Sequence, residues 1–299
     1  MKAWLYKDFW WWFSGWVLLL VISLFIYSYN ADIGGMLLKF SGTILVALLT
    51  AMAAFDHMNT NERRKTAREH YIDFSGLLVA LDERYQNVMT LRENYKELFD
   101  KDAFMRGLTP PFSIIRDVNK APDLHKLNFL KKKYQHIRID DLSSIRQSAF
   151  NTANINAILS NYDYLMKIVG VRNDIYKESI SDIIDQYYSG NGSTYISAET
   201  LCKNGLSYAR LTNFLMITEQ IMSLTDGLYH ELRNAIDELN DGCKQVLDSE
   251  IAKENFGYPN LKYSFENDEL QYKALSIVEM QKMHQRTYSS NRDYRQRFF

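Results

Sequence analysis

Apolar residues run almost unbroken twice near the N-terminus, over residues 9–29 and 36–55, with only the short stretch Asn30 to Gly35 between them. About 20 residues rising 1.5 Å each match a hydrocarbon core about 30 Å thick, where a helix satisfies its own backbone. The pattern predicts a transmembrane helical hairpin over residues 1–58. The first run carries no charged residue, is aromatic at both ends and is followed by a second run, which sets it apart from a cleaved signal peptide.

Downstream the spacing turns helical. Tyr71, Phe74, Leu78, Leu81, Tyr85, Val88, Tyr95 and Phe99 fall three or four residues apart, with Arg92 standing where an apolar residue is expected. This predicts a juxtamembrane stalk helix over 59–107, meeting its neighbours in the domain or identical stalks in an oligomer, and stopped by Gly107-Leu108-Thr109-Pro110-Pro111. A cytoplasmic helical-bundle domain follows over 108–280. Pro122 and Asp123 open a short helix towards Tyr134. Asp140 or Asp141 caps a helix that carries Leu142, Ile145, Ala149, Ile155, Leu159, Tyr162 and Met166 and ends at Gly170.

Ile175, Ile180, Ile183, Ile184 and Tyr187 predict a further helix, halted by the loop Ser189 to Ser193. Ser197 and Thr200 precede the longest run, to about Asn255, in which a break is expected near Gly227 because glycine costs a helix interior about 1 kcal/mol. A last helix over 268–285 leads into a tail, 281–299. Only 134–139 and 261–265 read as possible strands. The fold class is all-α, with no internal repeat.

Charge adds orientation. Lys2 and Lys7 precede the first span and Arg63, Arg64, Lys65 and Arg68 follow the second, whereas Asp32 and Lys39 lie between, so both termini are expected in the cytoplasm. Cys202 and Cys243 are then expected as free thiols. The net charge is −1 and the apolar share 46%, so the polar residues are concentrated behind the hairpin. Trp10, Trp11, Trp12 and Trp16 at one end, and Tyr27 and Tyr29 at the other, suit the lipid interface. Ser41, Gly42, Ala47, Thr50, Ala51 and Ala54 give the second span a small-residue surface for association, including self-association.

The chain has no P-loop, GxGxxG, HExxH or GxSxG, and its six histidines form no zinc pattern. No catalytic residue, metal or cofactor is assigned, and no enzyme activity is expected. The adjacent Asp140 and Asp141 diverge on a helix and suit capping. An acidic run from Asp226 to Glu254 faces only Arg233, Lys244 and Lys253, as a solvated face or a seat for a basic partner. Lys131, Lys132 and Lys133, with His136 and Arg138, form a local basic patch, as a solvated face or a contact for anionic lipid or nucleic acid. In the tail, Lys282, Arg286, Arg292, Arg295 and Arg297, with Tyr294 among them, read either as a disordered solvated tail or as a contact for nucleic acid, lipid or a protein partner.

Arg64 and His70, six apart, resemble the arginine–histidine spacing of HEPN ribonucleases, although Arg64 also belongs to the basic stretch that topology requires. In plan, the two spans joined to a motif-poor helical domain resemble the two-transmembrane membrane effectors of bacterial antiphage defence, of retron-associated or abortive-infection type. That resemblance implies a toxin of the bacterial inner membrane. An inhibitory cytoplasmic partner would hold it, in a retron type a reverse transcriptase with its RNA–DNA hybrid, and its spans would oligomerise or perturb the bilayer on release. The alternatives are a non-toxic membrane-tethered sensor or scaffold, and a membrane-bound HEPN-like ribonuclease using Arg64 and His70.

Overall fold

A computed structural model describes residues 2–99, 101–109, 113, 115–134, 142–187, 196–263, 272, 273 and 275. The described residues are helical, with no strand among them; residues 134 and 261–263 lie outside any strand. The chain divides into two compact units, residues 1–68 and 69–299.

The first unit holds α1 (Lys2–Tyr29) and the beginning of α2 (Ala31–Lys96), separated by Asn30 alone. The Asn30 side chain accepts from the backbone N–H of Ile33 at 3.3 Å, serving as a cap where one helix ends and the next starts. α2 contains one apolar stretch long enough to cross a membrane, and a shorter apolar stretch, Phe13–Tyr29, lies in α1. Leu18, Phe25, Phe40, Val46, Leu49 and Phe55 are all exposed, so these helices do not bury their apolar surface within the unit.

The second unit is built around the C-terminal part of α2. Residues 59–107, expected as a stalk, include its centre: Phe74, Leu77, Leu81, Tyr85 and Val88 are buried. They share one core with α5 (Thr152–Ser179) and α8 (Tyr208–Val246). α3 (Ala103–Leu108) and a 3-10 helix (Lys126–Tyr134) pack on α8. A smaller cluster joins the end of α5, α6 (Ser181–Gln186), α7 (Ala198–Lys203) and the start of α8 through Ile180, Leu201 and Phe214.

Several boundaries differ from those expected. The helix expected from Asp140 is two elements, α4 (Leu142–Gln147) and α5, and the α5 cap is Asn151, whose side chain accepts from Ala153 N–H at 3.0 Å. α5 runs through Gly170 because the buried stripe Ile168, Val169, Arg172, Ile175 and Tyr176 continues past it. The long run breaks at Gly205, whose φ of +101° leaves the helical region, and not at Gly227. α8 then passes through both Gly227 and Gly242. At Gly242 a Cβ would lie 2.4 Å from Phe150 Cζ, so glycine there permits a close approach between α8 and the turn before α5. After α9 (Ser249–Glu254), Tyr272, Lys273 and Leu275 are not helical, contrary to the helix expected over 268–285, most of which lies outside the described residues. Asp140, Asp141 and the loop 189–193 also lie outside them.

Candidate functional site

Two features stand out: the apolar surface of the first unit and a set of buried ionic groups in the second. In the first unit the Trp16 indole N–H donates to the Ser41 carbonyl at 2.8 Å, tying α1 to α2. A groove of about 890 Å³ beside this contact is lined by Trp11, Gly15, Trp16, Leu19, Ile44, Ala47 and Leu48. The hydroxyls of Ser23, Ser28, Ser41, Thr43 and Thr50 donate to carbonyls three or four residues back. Those bonds are satisfied within each helix and need no water.

The expected interfacial aromatics divide accordingly. Trp11, Tyr27 and Tyr29 are exposed, and Trp16 is turned onto α2. Trp10 and Trp12 lie within α1, and their side chains are outside the described residues. The small residues of the second span divide too. Ser41 is buried against α1, Ala47 borders the groove, and Gly42, Thr50, Ala51 and Ala54 are exposed.

In the second unit three arginines rank among the most deeply buried large side chains: Arg92, Arg106 and Arg172. Arg92 Nε donates to Asp226 Oδ1 at 3.0 Å, and its guanidinium lies 4.5 Å from the centre of the Tyr229 ring. Arg106 Nη1 donates to Glu219 Oε2 at 2.8 Å. Arg172 donates to Thr218 Oγ1 at 3.3 Å and to the Gly107 carbonyl at 2.8 Å. Each ties α8 to another element, and buried charges require such partners. Arg92 already stood out in the apolar pattern. The signal for Arg172 was equally available, since it falls between Ile168 and Ile175 on the same stripe. Arg106 and Glu219 had no such clear signature.

The acidic run is not one solvated face. Asp226 points inward to Arg92. Glu238 accepts from Ser148 Oγ and, at 2.7 Å, from Ala149 N–H, and it pairs with Lys133 at 3.4 Å. Lys133 also lies 4.0 Å from the centre of the Phe150 ring, so it leaves the basic patch, whereas Lys131 and Lys132 remain exposed.

His70 stacks on Phe129 with ring centres 4.2 Å apart. Burial and the nearby Lys132 lower its pKa, opposed by Asp73 and Glu69. Side chains six apart on an α-helix leave its axis about 120° apart, so the spacing of Arg64 and His70 does not by itself make them converge. Cys202 is half-buried and Cys243 buried; both are free thiols whose pKa is raised by burial. Among the described residues no group of three or more His, Cys, Asp or Glu is arranged to hold a metal. Lys282, Arg286, Arg292, Tyr294, Arg295 and Arg297 lie outside the described residues. No family model, curated relative or solved structure matches this chain.

Proposed function

We propose that the chain is a two-span membrane effector whose N-terminal hairpin is its active element and whose helical domain receives the partner that restrains it. The observation that carries this is the exposed apolar surface of α1 and the first part of α2, in which the named hydroxyls bond to their own helix and Trp16 bonds across to Ser41. Such a surface suits lipid, or other copies of the same spans, as its solvent. The basic residues from Arg63 to Arg68 and at Lys2 and Lys7 support placing both ends in the cytoplasm of a bacterial inner membrane.

The second unit supports control better than chemistry. Its buried Arg92 and Arg106 hold helices together, and His70 is stacked on the Phe129 ring. In this role the domain and its basic tail receive an inhibitory partner, a protein or a ribonucleoprotein such as a reverse transcriptase with its RNA–DNA hybrid. Loss of that partner frees the spans to associate and perturb the bilayer.

The test is reconstitution of the purified full chain into vesicles of phosphatidylethanolamine and phosphatidylglycerol holding a potassium diffusion potential. Collapse of the potential, rising with the protein-to-lipid ratio, is expected. A potential that persists with the chain inserted would overturn the effector role and favour the tethered sensor or scaffold. Loss of toxicity in cells on His70→Ala with an intact hairpin would favour the ribonuclease.

A further inference from the structure

After α9, residues 257–263 and Tyr272 lie against side chains of α2 and α8. Phe256 and Gly257 both have positive φ, +64° and +123°, and the Gly257 N–H closes onto the Ala252 carbonyl at 2.8 Å, a Schellman ending. Glycine is favoured at the first of these positions, yet Phe256 occupies it with its side chain fully exposed. The chain turns sharply there. The Tyr71 hydroxyl then donates to the Gly257 carbonyl at 3.0 Å.

Beyond the turn, recognition is of two kinds. Asn240 reads backbone: its Oδ1 accepts from Leu261 N–H at 3.1 Å and its Nδ2 donates to the Leu261 carbonyl at 2.8 Å. A side-chain amide that pairs with both polar groups of one residue holds an extended peptide whatever its sequence. Two tyrosines add side-chain contacts. The Tyr263 hydroxyl donates to Asp82, with its ring 5.2 Å from that of Tyr85. The Tyr272 hydroxyl donates to Glu219 Oε2 at 2.8 Å, its ring meeting the Phe99 ring edge-on with centres 5.6 Å apart.

Tyr258, Leu261, Tyr263 and Tyr272 are only partly buried, whereas Tyr85, Phe99 and Tyr229 beneath them are buried. The segment therefore packs on the outside of that core as a partly buried layer. Its departure would expose the Arg106–Glu219 pair, which Tyr272 covers; the Arg106 guanidinium lies 5.4 Å from the centre of the Tyr272 ring.

We propose that the surface around Asp82, Asn240 and Glu219 is a recognition site for an extended, tyrosine-bearing peptide, occupied in cis by residues 257–263 and Tyr272, and that this segment is a releasable latch hinged at Phe256 and Gly257. The seating is independent of the membrane role. Only the consequence of release for the spans rests on that role, so the test reads seating directly and not depolarisation.

The experiment uses the full chain in detergent micelles. Hydrogen exchange is followed by mass spectrometry for the wild type and for the Tyr263→Phe/Tyr272→Phe variant, which keeps both rings. Loss of the two hydroxyl hydrogen bonds is expected to speed exchange within 257–263 roughly tenfold or more, with α5 and α8 unchanged. A fluorescent peptide of residues 257–273 is then added to the Tyr263→Ala/Tyr272→Ala variant, in which the site is intact and its occupant weakened. Saturable binding that is absent from wild type and abolished by adding Asn240→Ala is expected. Unchanged exchange in the phenylalanine variant would overturn the latch. Absence of peptide binding to an alanine variant whose α5 and α8 exchange is native would overturn the recognition site.

Discussion

Arg92 and Asp226 meet at 3.0 Å, from side chains 1% and 16% exposed, and join α2 to α8 through the centre of the second unit. Removing only the cation leaves a carboxylate facing an apolar wall. Arg92→Met is expected to destabilise the domain by about 3 kcal/mol or more, whereas Arg92→Met/Asp226→Leu recovers most of that loss, because paired burial is offset by desolvation. Urea unfolding of the three chains, followed by tyrosine fluorescence, checks this. Equal losses in the single and double variants would contradict it.

The two glycines inside α8 should respond with opposite sign. Gly227 is exposed, and a methyl added there would meet nothing within 4 Å, so Gly227→Ala is expected to stabilise by about 0.5–1 kcal/mol. Gly242→Ala drives a methyl into the Phe150 ring and is expected to cost about 1–3 kcal/mol. Thermal unfolding of the two variants beside wild type measures the difference.

His70 gives a pH dependence. Its folded pKa lies below the ordinary 6.5, so the unfolded chain binds the proton more readily. The contribution of His70 to stability is therefore complete above 6.5 and is lost as pH falls through that value towards the lower folded pKa. His70→Gln is expected to remove this part of the slope between pH 7.5 and pH 5.5. Denaturant midpoints measured across that range would contradict the assignment if both chains showed the same slope.

The all-helical class and the apolar N-terminal stretches were legible because they depend on runs and periods that survive in any context. Arg92 was legible as an exception to its stripe. Its partner was not, since Asp226 lies 134 positions away and looks like one more member of an acidic run. Gly170 and Gly227 misled because a glycine's helix cost is small beside the packing of Ile168, Ile175, Leu228 and Leu232 on either side. The docking of Leu261, Tyr263 and Tyr272 was hidden for a related reason. Its contacts to Asn240, Asp82 and Glu219 are non-local and leave no period in the sequence.

The most direct measurement of the central claim is the membrane potential of bacterial cells expressing the full chain, compared at equal protein level with Leu18→Arg/Leu49→Arg. Both leucines are exposed on the apolar helices, and an arginine at the centre of a span costs about 2.5–3.5 kcal/mol. Depolarisation by the wild-type chain and a retained potential with the variant are predicted. A retained potential in cells whose membranes hold the wild-type chain, or equal depolarisation by the variant, would contradict the assignment of activity to the hairpin.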